Sequence, residues 1–187
     1  MAFDGLWHSF GLVALTEMGD KTQLLALVLT TRFRQPWAIL GGILVATIAN
    51  HLLASATGAW VAGFFAPEVL RWTLAVLFFA FAAWVLIPDK DDDKEPSDRF
   101  GAFLTTAILF FLAEIGDKTQ LATVALAAKY QNVVMVTAGT TLGMMFSDGL
   151  AVAFGERLTR IIPMKWIRYV AAGLFVLFGV AVIVATG

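Results

Sequence analysis

The sequence predicts an all-α integral membrane protein, with six transmembrane helices arranged as two inverted three-helix repeats. Three observations carry that expectation. Of 187 residues, 59% are hydrophobic and only 14% charged, and the mean hydropathy is +0.81. A soluble domain this apolar could not cover its surface with polar groups. Six apolar stretches, each about 20 residues or longer and so long enough for a bilayer core of roughly 30 Å, run over 6–30, 37–65, 68–87, 102–128, 132–155 and 164–186. An octapeptide occurs twice, as Glu-Met-Gly-Asp-Lys-Thr-Gln-Leu from Glu17 to Leu24 and as Glu-Ile-Gly-Asp-Lys-Thr-Gln-Leu from Glu114 to Leu121. The two copies are offset by 97 residues (114 − 17).

The first stretch holds the first motif. Met1 to Gly11 lacks a positive n-region and carries Asp4, so it reads as the start of a retained span, not a cleaved signal peptide. The second and third stretches are parted by a short turn around Pro67. Pro88 to Arg99 is the one truly polar segment, and it divides the chain. Residues 1–87 form the first three-helix repeat, 88–100 a charged linker and 101–187 the second repeat. The 97-residue offset also pairs Gly42 with Gly139, Leu53 with Leu150, Ala54 with Ala151, Gly58 with Gly155 and Arg71 with Arg168. Three spans is an odd number, so the second copy must enter from the opposite side, an architecture common in secondary transporters.

Lys and Arg outside the motifs divide nine to two. Arg32, Arg34, Lys90, Lys94, Arg99, Arg157, Arg160, Lys165 and Arg168 fall on one side, Arg71 and Lys129 on the other. The positive-inside rule places the nine and the linker in the cytoplasm and both termini outside. Within the linker, Asp89, Asp91 and Asp93 imitate the opening of an EF-hand loop. Lys94 stands where that loop needs glycine and Phe100 where it needs glutamate, so a solvated connection is expected.

Acids inside apolar spans cost roughly 2.5–3.5 kcal/mol each at the bilayer centre and mark a functional site. On a continuous helix Glu17 and Asp20 share one face, and Gln23 continues the ridge. Glu114, Asp117 and Gln120 form the matching ridge. If the two helices cross there, four carboxylates and two amide oxygens converge, a hard-oxygen set suited to Mg²⁺, Ca²⁺ or Mn²⁺. Zinc and copper are poorly served, because there is no cysteine and the only histidines are His8 and His51. Gly19 and Gly116 are expected to let two helix backbones approach, in preference to unwinding them.

Lys21 and Lys118 stand four residues after Glu17 and Glu114, within reach of intrahelical pairing. Pure neutralisation would make the motif a packing device. Four carboxylates against two lysines, however, leave two negative charges, balanced by one divalent cation or by two protons. Gln23, Gln120, Thr22 and Thr119 are candidate outer donors, the threonines pointing away from the acid face by helical phase. Asn50, Ser147 and Asp148 on the second spans are pathway candidates, Asp148 equally suiting a helix end facing water. His51, paired by offset with Asp148, is expected to be a plain hydrogen-bonded histidine in preference to a coupling residue. His8 and the tryptophans suit interfacial positions, and Met144-Met145 suits packing.

The doubled Glu-x-Gly-Asp-Lys-Thr in the first and fourth spans, with a charged central loop, resembles the MneA/Gdt family of manganese/calcium cation transporters. The resemblance covers essentially the whole chain. It implies transport of Mn²⁺ or Ca²⁺ in exchange for protons, with Glu17, Asp20, Glu114 and Asp117 as the metal site. It implies no enzymatic activity and no cofactor beyond the transported ion. A compact bacterial form in the cytoplasmic (inner) membrane, exporting manganese, is the expectation. The expected partners are a divalent cation, protons and lipid, and a homo-oligomer is compatible. Nucleic acid is excluded by a net charge of −1 with no Lys/Arg block. A passive divalent-cation channel, an exporter of small organic cations or amino acids, and a helix-locking scaffold are the competing readings. The sequence does not separate Mn²⁺ from Ca²⁺.

Overall fold

A computed structural model describes residues 3–87, 100–154 and 164–184. Among the described residues the chain forms eight α-helices and no strand: α1 (Asp4–Thr16), α2 (Lys21–Phe33), α3 (Pro36–Ala62), α4 (Pro67–Trp84), α5 (Gly101–Glu114), α6 (Lys118–Tyr130), α7 (Val133–Phe154) and α8 (Met164–Val184). Three of them, α3, α4 and α7, are long and apolar enough to cross a membrane. The expectations placed on the linker at 88–99, on Gly155 and on Arg157 and Arg160 lie outside the described residues.

The stretches at 6–30 and 102–128 are not the continuous helices expected from hydropathy. Each is two short helices with a break at the motif: α1 and α2 part at residues 17–20, α5 and α6 at 115–117. Gly19 and Gly116 both take φ +77°, a left-handed conformation that disfavours any residue with a Cβ. The next residues, Asp20 and Asp117, are extended (ψ 169° and 165°) and cap α2 and α6. Each break is clasped by its own glutamine. The Gly19 N–H donates to Gln23 Oε1 (2.8 Å) and the Gly116 N–H to Gln120 Oε1 (2.7 Å). The Asp20 and Asp117 N–H groups donate to the Glu17 and Glu114 carbonyls, both at 3.2 Å. Even the far ends of α2 and α6 agree, in left-handed caps at Arg34 (φ 54°) and Gln131 (φ 50°). All these pairs are 97 residues apart, so the repeat extends from sequence to backbone.

Packing repeats the pattern. Helix α1 packs on α7, α5 packs on α3, and α3 packs on α7. A Cβ built on Gly139 would lie 2.3 Å from the Leu6 carbonyl oxygen, and one on Gly42 would lie 2.6 Å from the Phe103 carbonyl oxygen. Leu6 and Phe103 are themselves 97 residues apart. Glycine is required at these crossings because backbone meets backbone there. Gly58 is tighter still, its would-be Cβ lying 2.1 Å from the Val124 carbonyl oxygen. Helices α4 and α8 pair through Phe78, Phe81, Phe175 and Phe178 and lie against α6 and α1 respectively. The outer surface is apolar, with Trp37, Val45, Leu53, Val76 and Leu177 exposed, as a lipid-facing surface should be.

These crossings predict an unequal response to the same substitution. Gly58→Ala and Gly139→Ala should each cost about 1–3 kcal/mol through overpacking. Gly149→Ala, whose Cβ would meet nothing within 4 Å, should be neutral or stabilising. Thermal unfolding of the purified protein in detergent checks this; equal midpoints for all three variants would contradict the close crossings.

Candidate cation site

The two breaks bring acids from both repeats together. Glu17, Glu114 and Asp117 are buried, and one carboxylate oxygen from each lies within 4.8 Å of the others. Glu17 follows the last turn of α1 and Glu114 closes α5, while Asp117 caps α6 without using its side chain. The side chain is therefore free to turn inward. Asp20, its counterpart in the first repeat, is not in the cluster. It is half-buried and lines a cleft with Thr16, Gly19, Ile87, Lys118 and Arg168.

The donors around the cluster are unevenly shared. Thr22 Oγ1 donates to Glu17 Oε2 (2.8 Å), and Thr119 Oγ1 donates to Glu17 Oε1 from the other repeat. Both threonines therefore touch the acids, contrary to the helical-phase expectation, because the break rotates α2 and α6 relative to α1 and α5. Lys21 does not pair with Glu17 as a continuous helix would require. Its Nζ reaches across the repeats to Asp117 Oδ1 at 3.0 Å. Lys118 donates to the Ile87 carbonyl (2.9 Å) and sits 5.8 Å from the Trp84 ring centroid.

Neither glutamine offers its oxygen to the cluster, since both oxygens hold the glycine N–H groups. Their amide nitrogens instead reach the second spans. Gln23 Nε2 donates to the Ser147 carbonyl (3.0 Å) and to its Oγ (3.2 Å), and Gln120 Nε2 donates to Asn50 Oδ1 (3.5 Å). Asn50 and Ser147 are repeat-equivalent, so Asn50 and Ser147 anchor the breaks. Of the expected four carboxylates and two amide oxygens, the structure brings together Glu17, Glu114 and Asp117, while Asp20 and the amide oxygens lie apart from them.

Four buried carboxylate oxygens near the centre of the fold have no hydrogen-bond partner among the described residues, or five with Asp117 Oδ2: both of Glu114 and both of Asp148 make up the four. Asp148, on α7, is fully buried within electrostatic reach of Glu17 and Glu114. His51 is also buried, and neither ring nitrogen has a hydrogen-bond partner among the described residues, which differs from the expected plain hydrogen-bonded histidine. Uncompensated buried carboxylates are costly by several kcal/mol per ion. A divalent cation bound by hard oxygen, or protons, would remove that cost. The three carboxylates fit such an ion in chemistry and spacing.

Comparison with known proteins agrees with this chemistry. A family model described as "Divalent cation/proton antiporter GDT1" matches residues 5–93 and 102–187. A protein of Vibrio cholerae serotype O1 named "Putative manganese exporter" is 47% identical over 170 residues, spanning 90% of this chain and 85% of its own. The GDT1-like protein 3 of Arabidopsis thaliana is 28% identical over 207 residues, 96% of this chain and 70% of its own. The GDT1-like protein sll0615 of Synechocystis is 27% identical over 194 residues, 90% of this chain and 91% of its own. No solved structure matches.

Replacing one unpaired acid separates binding from folding. Glu114→Gln removes a buried charge that has no donor, so the cation-free protein should unfold at the same temperature as wild type or higher. If Mn²⁺ occupies the cluster it should stabilise wild type by about 2.7 kcal/mol at 100 times its Kd, and that stabilisation should disappear in the variant. Thermal melts with and without Mn²⁺ measure both effects.

Proposed function

The chain belongs to the GDT1 family of divalent cation/proton antiporters, and from that membership we propose that it is a secondary transporter exporting Mn²⁺, with Ca²⁺ second, in exchange for protons. The observation that carries this reading is the meeting of Glu17, Glu114 and Asp117, buried acids drawn from both repeats. It is a transporter and not an enzyme, and the ion is cargo.

The reading takes the short helices as half-spans. Each of α1, α2 and α6 has 13 residues and α5 has 14, so each rises only about 20 Å. Stacked end to end in pairs they would cross the bilayer, giving six spans with the site near the midplane, as discontinuous helices do in other transporters. The Lys and Arg distribution supports both termini outside and the linker in the cytoplasm of a bacterial inner membrane. The name of the Vibrio relative favours manganese and efflux.

The charge balance supports exchange. When ionised, three carboxylates carry −3 and the Lys21 ammonium paired with Asp117 returns +1, leaving −2 at the cluster (−3 + 1). One divalent ion, or two protons, cancels that remainder. The Lys21 ammonium competes with cargo for Asp117, so it must shift as the ion binds. Asp148 adds a further buried acid through which protons could reach or leave the cluster. Thr22 and Thr119 hold Glu17 in place for the ion.

In proteoliposomes a pH gradient should drive Mn²⁺ uptake or release against its own gradient. Acidifying the side that Mn²⁺ binds from should weaken binding, because protons and metal share the same oxygens. Glu17→Gln and Asp117→Asn should each reduce flux at least about a hundredfold, the loss of roughly 2.7 kcal/mol of binding. Flux that runs down the metal gradient with no proton movement would favour a channel. Full flux in both variants would overturn the site.

A further inference from the structure

The end of the molecule that carries the N-terminus of α1 holds a side-chain cluster outside the carboxylate site, with His8 exposed and Lys129 and Tyr130 half-buried. Tyr130 Oη and His8 Nδ1 are hydrogen-bonded at 2.8 Å, and the two rings stack with centroids 5.8 Å apart. His8 also meets Phe178 edge-on at 5.4 Å. Lys129 Nζ lies 4.6 Å from the Phe178 ring centroid, 5.1 Å from that of Tyr130 and 5.9 Å from that of Phe78. Cations are held at such distances by the negative faces of aromatic rings. The cluster therefore ties together four elements: α1 through His8, α6 through Lys129 and Tyr130, α4 through Phe78 and α8 through Phe178.

Its position relates it to the acids. Between Lys129 and the cluster, α6 presents buried Leu126, Thr123 and Thr119, and Thr119 is the residue that donates to Glu17. The cleft lined by Asp20 lies on the other side of the motif, bounded by Ile87 on α4's end and Arg168 near the start of α8. Arg168 and Phe178 are ten residues apart on α8, so about 15 Å of helix separates the aromatic cluster from the cleft. Helices α4 and α8 pack on α6 and α1 and make no comparable contact with α2 or α5. The Lys129 cluster thus packs on one side of the site, and a cleft that reaches Thr119 opens on the other.

The 97-residue offset turns this asymmetry into a specific expectation. It pairs Lys129 with Arg32, Phe78 with Phe175 and Phe81 with Phe178. We propose that His8, Lys129 and Tyr130 close on Phe78 and Phe178 as a gate, and that Arg32 takes the equivalent place on Phe81 and Phe175 when the opposite end closes. The lysine seals the route twice over, by ring contact and by repelling any cation that enters it. Opening requires α4 and α8 to leave α6 and α1 together, and the repeat supplies the second resting place. This inference rests on the alternating use of one carboxylate site proposed above.

The chain has no cysteine, so introduced thiols report alone. His8→Cys with Phe178→Cys, bridged by a short reducible bis-methanethiosulfonate, should stop Mn²⁺/H⁺ exchange in proteoliposomes and regain it on reduction. The bridged protein should still bind Mn²⁺ in detergent. Exchange by the bridged protein at the unbridged rate would overturn the gate. Absence of Mn²⁺ binding even before bridging would instead overturn the carboxylate reading. A second measurement needs no transport. Thr123→Cys should react slowly with a membrane-impermeant thiol reagent applied from the α1 N-terminal side. Adding Lys129→Ala or Tyr130→Ala should speed that reaction at least about tenfold by shifting the open population. An unchanged labelling rate in both would overturn the gate whether or not the double-cysteine variant transports.

Discussion

Two glycines in the left-handed region, Gly19 and Gly116, determine where everything else in this fold can sit. Breaking a helix in an apolar interior exposes N–H and C=O groups that hydrocarbon cannot satisfy. Here each break is satisfied from within: the glutamine three residues after the capping aspartate takes the glycine N–H on its oxygen. That use of the oxygen leaves the amide nitrogen needing an acceptor, and Ser147 and Asn50 on the long helices supply one. The broken helices are thus pinned to α7 and α3. Remove the clasp and the motif would relax toward a continuous helix, with its acids spread along one face and no three-carboxylate cluster.

The clustered acids are the complementary half of that constraint. Glu17 has two threonine hydroxyls, Asp117 has the Lys21 ammonium, and Glu114 has no hydrogen-bond partner among the described residues. Three buried carboxylates with so few donors form a poor structural device. A helix-locking role would be met more cheaply by the small-residue crossings already present at Gly42, Gly58 and Gly139. The cluster makes physical sense as a place that is stabilised by something that comes and goes, and family membership in divalent cation/proton antiporters names the two things. A site complete in itself would have no reason to release its cargo.

Much of this was legible in the chain. Composition pointed to the helical membrane class, the offset to the duplication, and the acids in apolar stretches to Glu17, Asp20, Glu114 and Asp117, three of which come together. The break was not legible, because apolar residues continue through it and glycine is tolerated in helices at about 1 kcal/mol. That single difference misplaced Lys21, Thr22, Thr119 and both glutamines, whose partners all depend on how α2 and α6 turn. Asp20 and Asp117 look identical in sequence, yet one lines the cleft and the other joins the cluster; only tertiary packing distinguishes them. The aromatic cluster at Lys129 was hidden among lipid-facing aromatics. The same offset pairs Phe78 with Phe175 and Phe81 with Phe178 along the third spans of each repeat.

Equal and unequal contacts also have different mechanical meaning. The crossings at Gly42 and Gly139, the glutamine clasps and their anchors at Asn50 and Ser147 occur once in each repeat, so they can persist while the halves exchange roles. Among the described residues, the packing of α4 and α8 on α6 and α1, the Lys129 cluster and the Thr119–Glu17 hydrogen bond have no comparable counterpart in the other repeat. In a duplicated structure with two related states, contacts made only once are the ones that must break on going from one state to the other. If the protein alternates as proposed, that criterion makes α3, α7 and the helices crossing them the frame and the α4–α8 pair the moving part. Thr119 stands at the junction: it lies on the path from the cluster and holds Glu17. On the proposed reading, loosening the Lys129 end would also loosen Glu17, so a single hydroxyl would link opening to release.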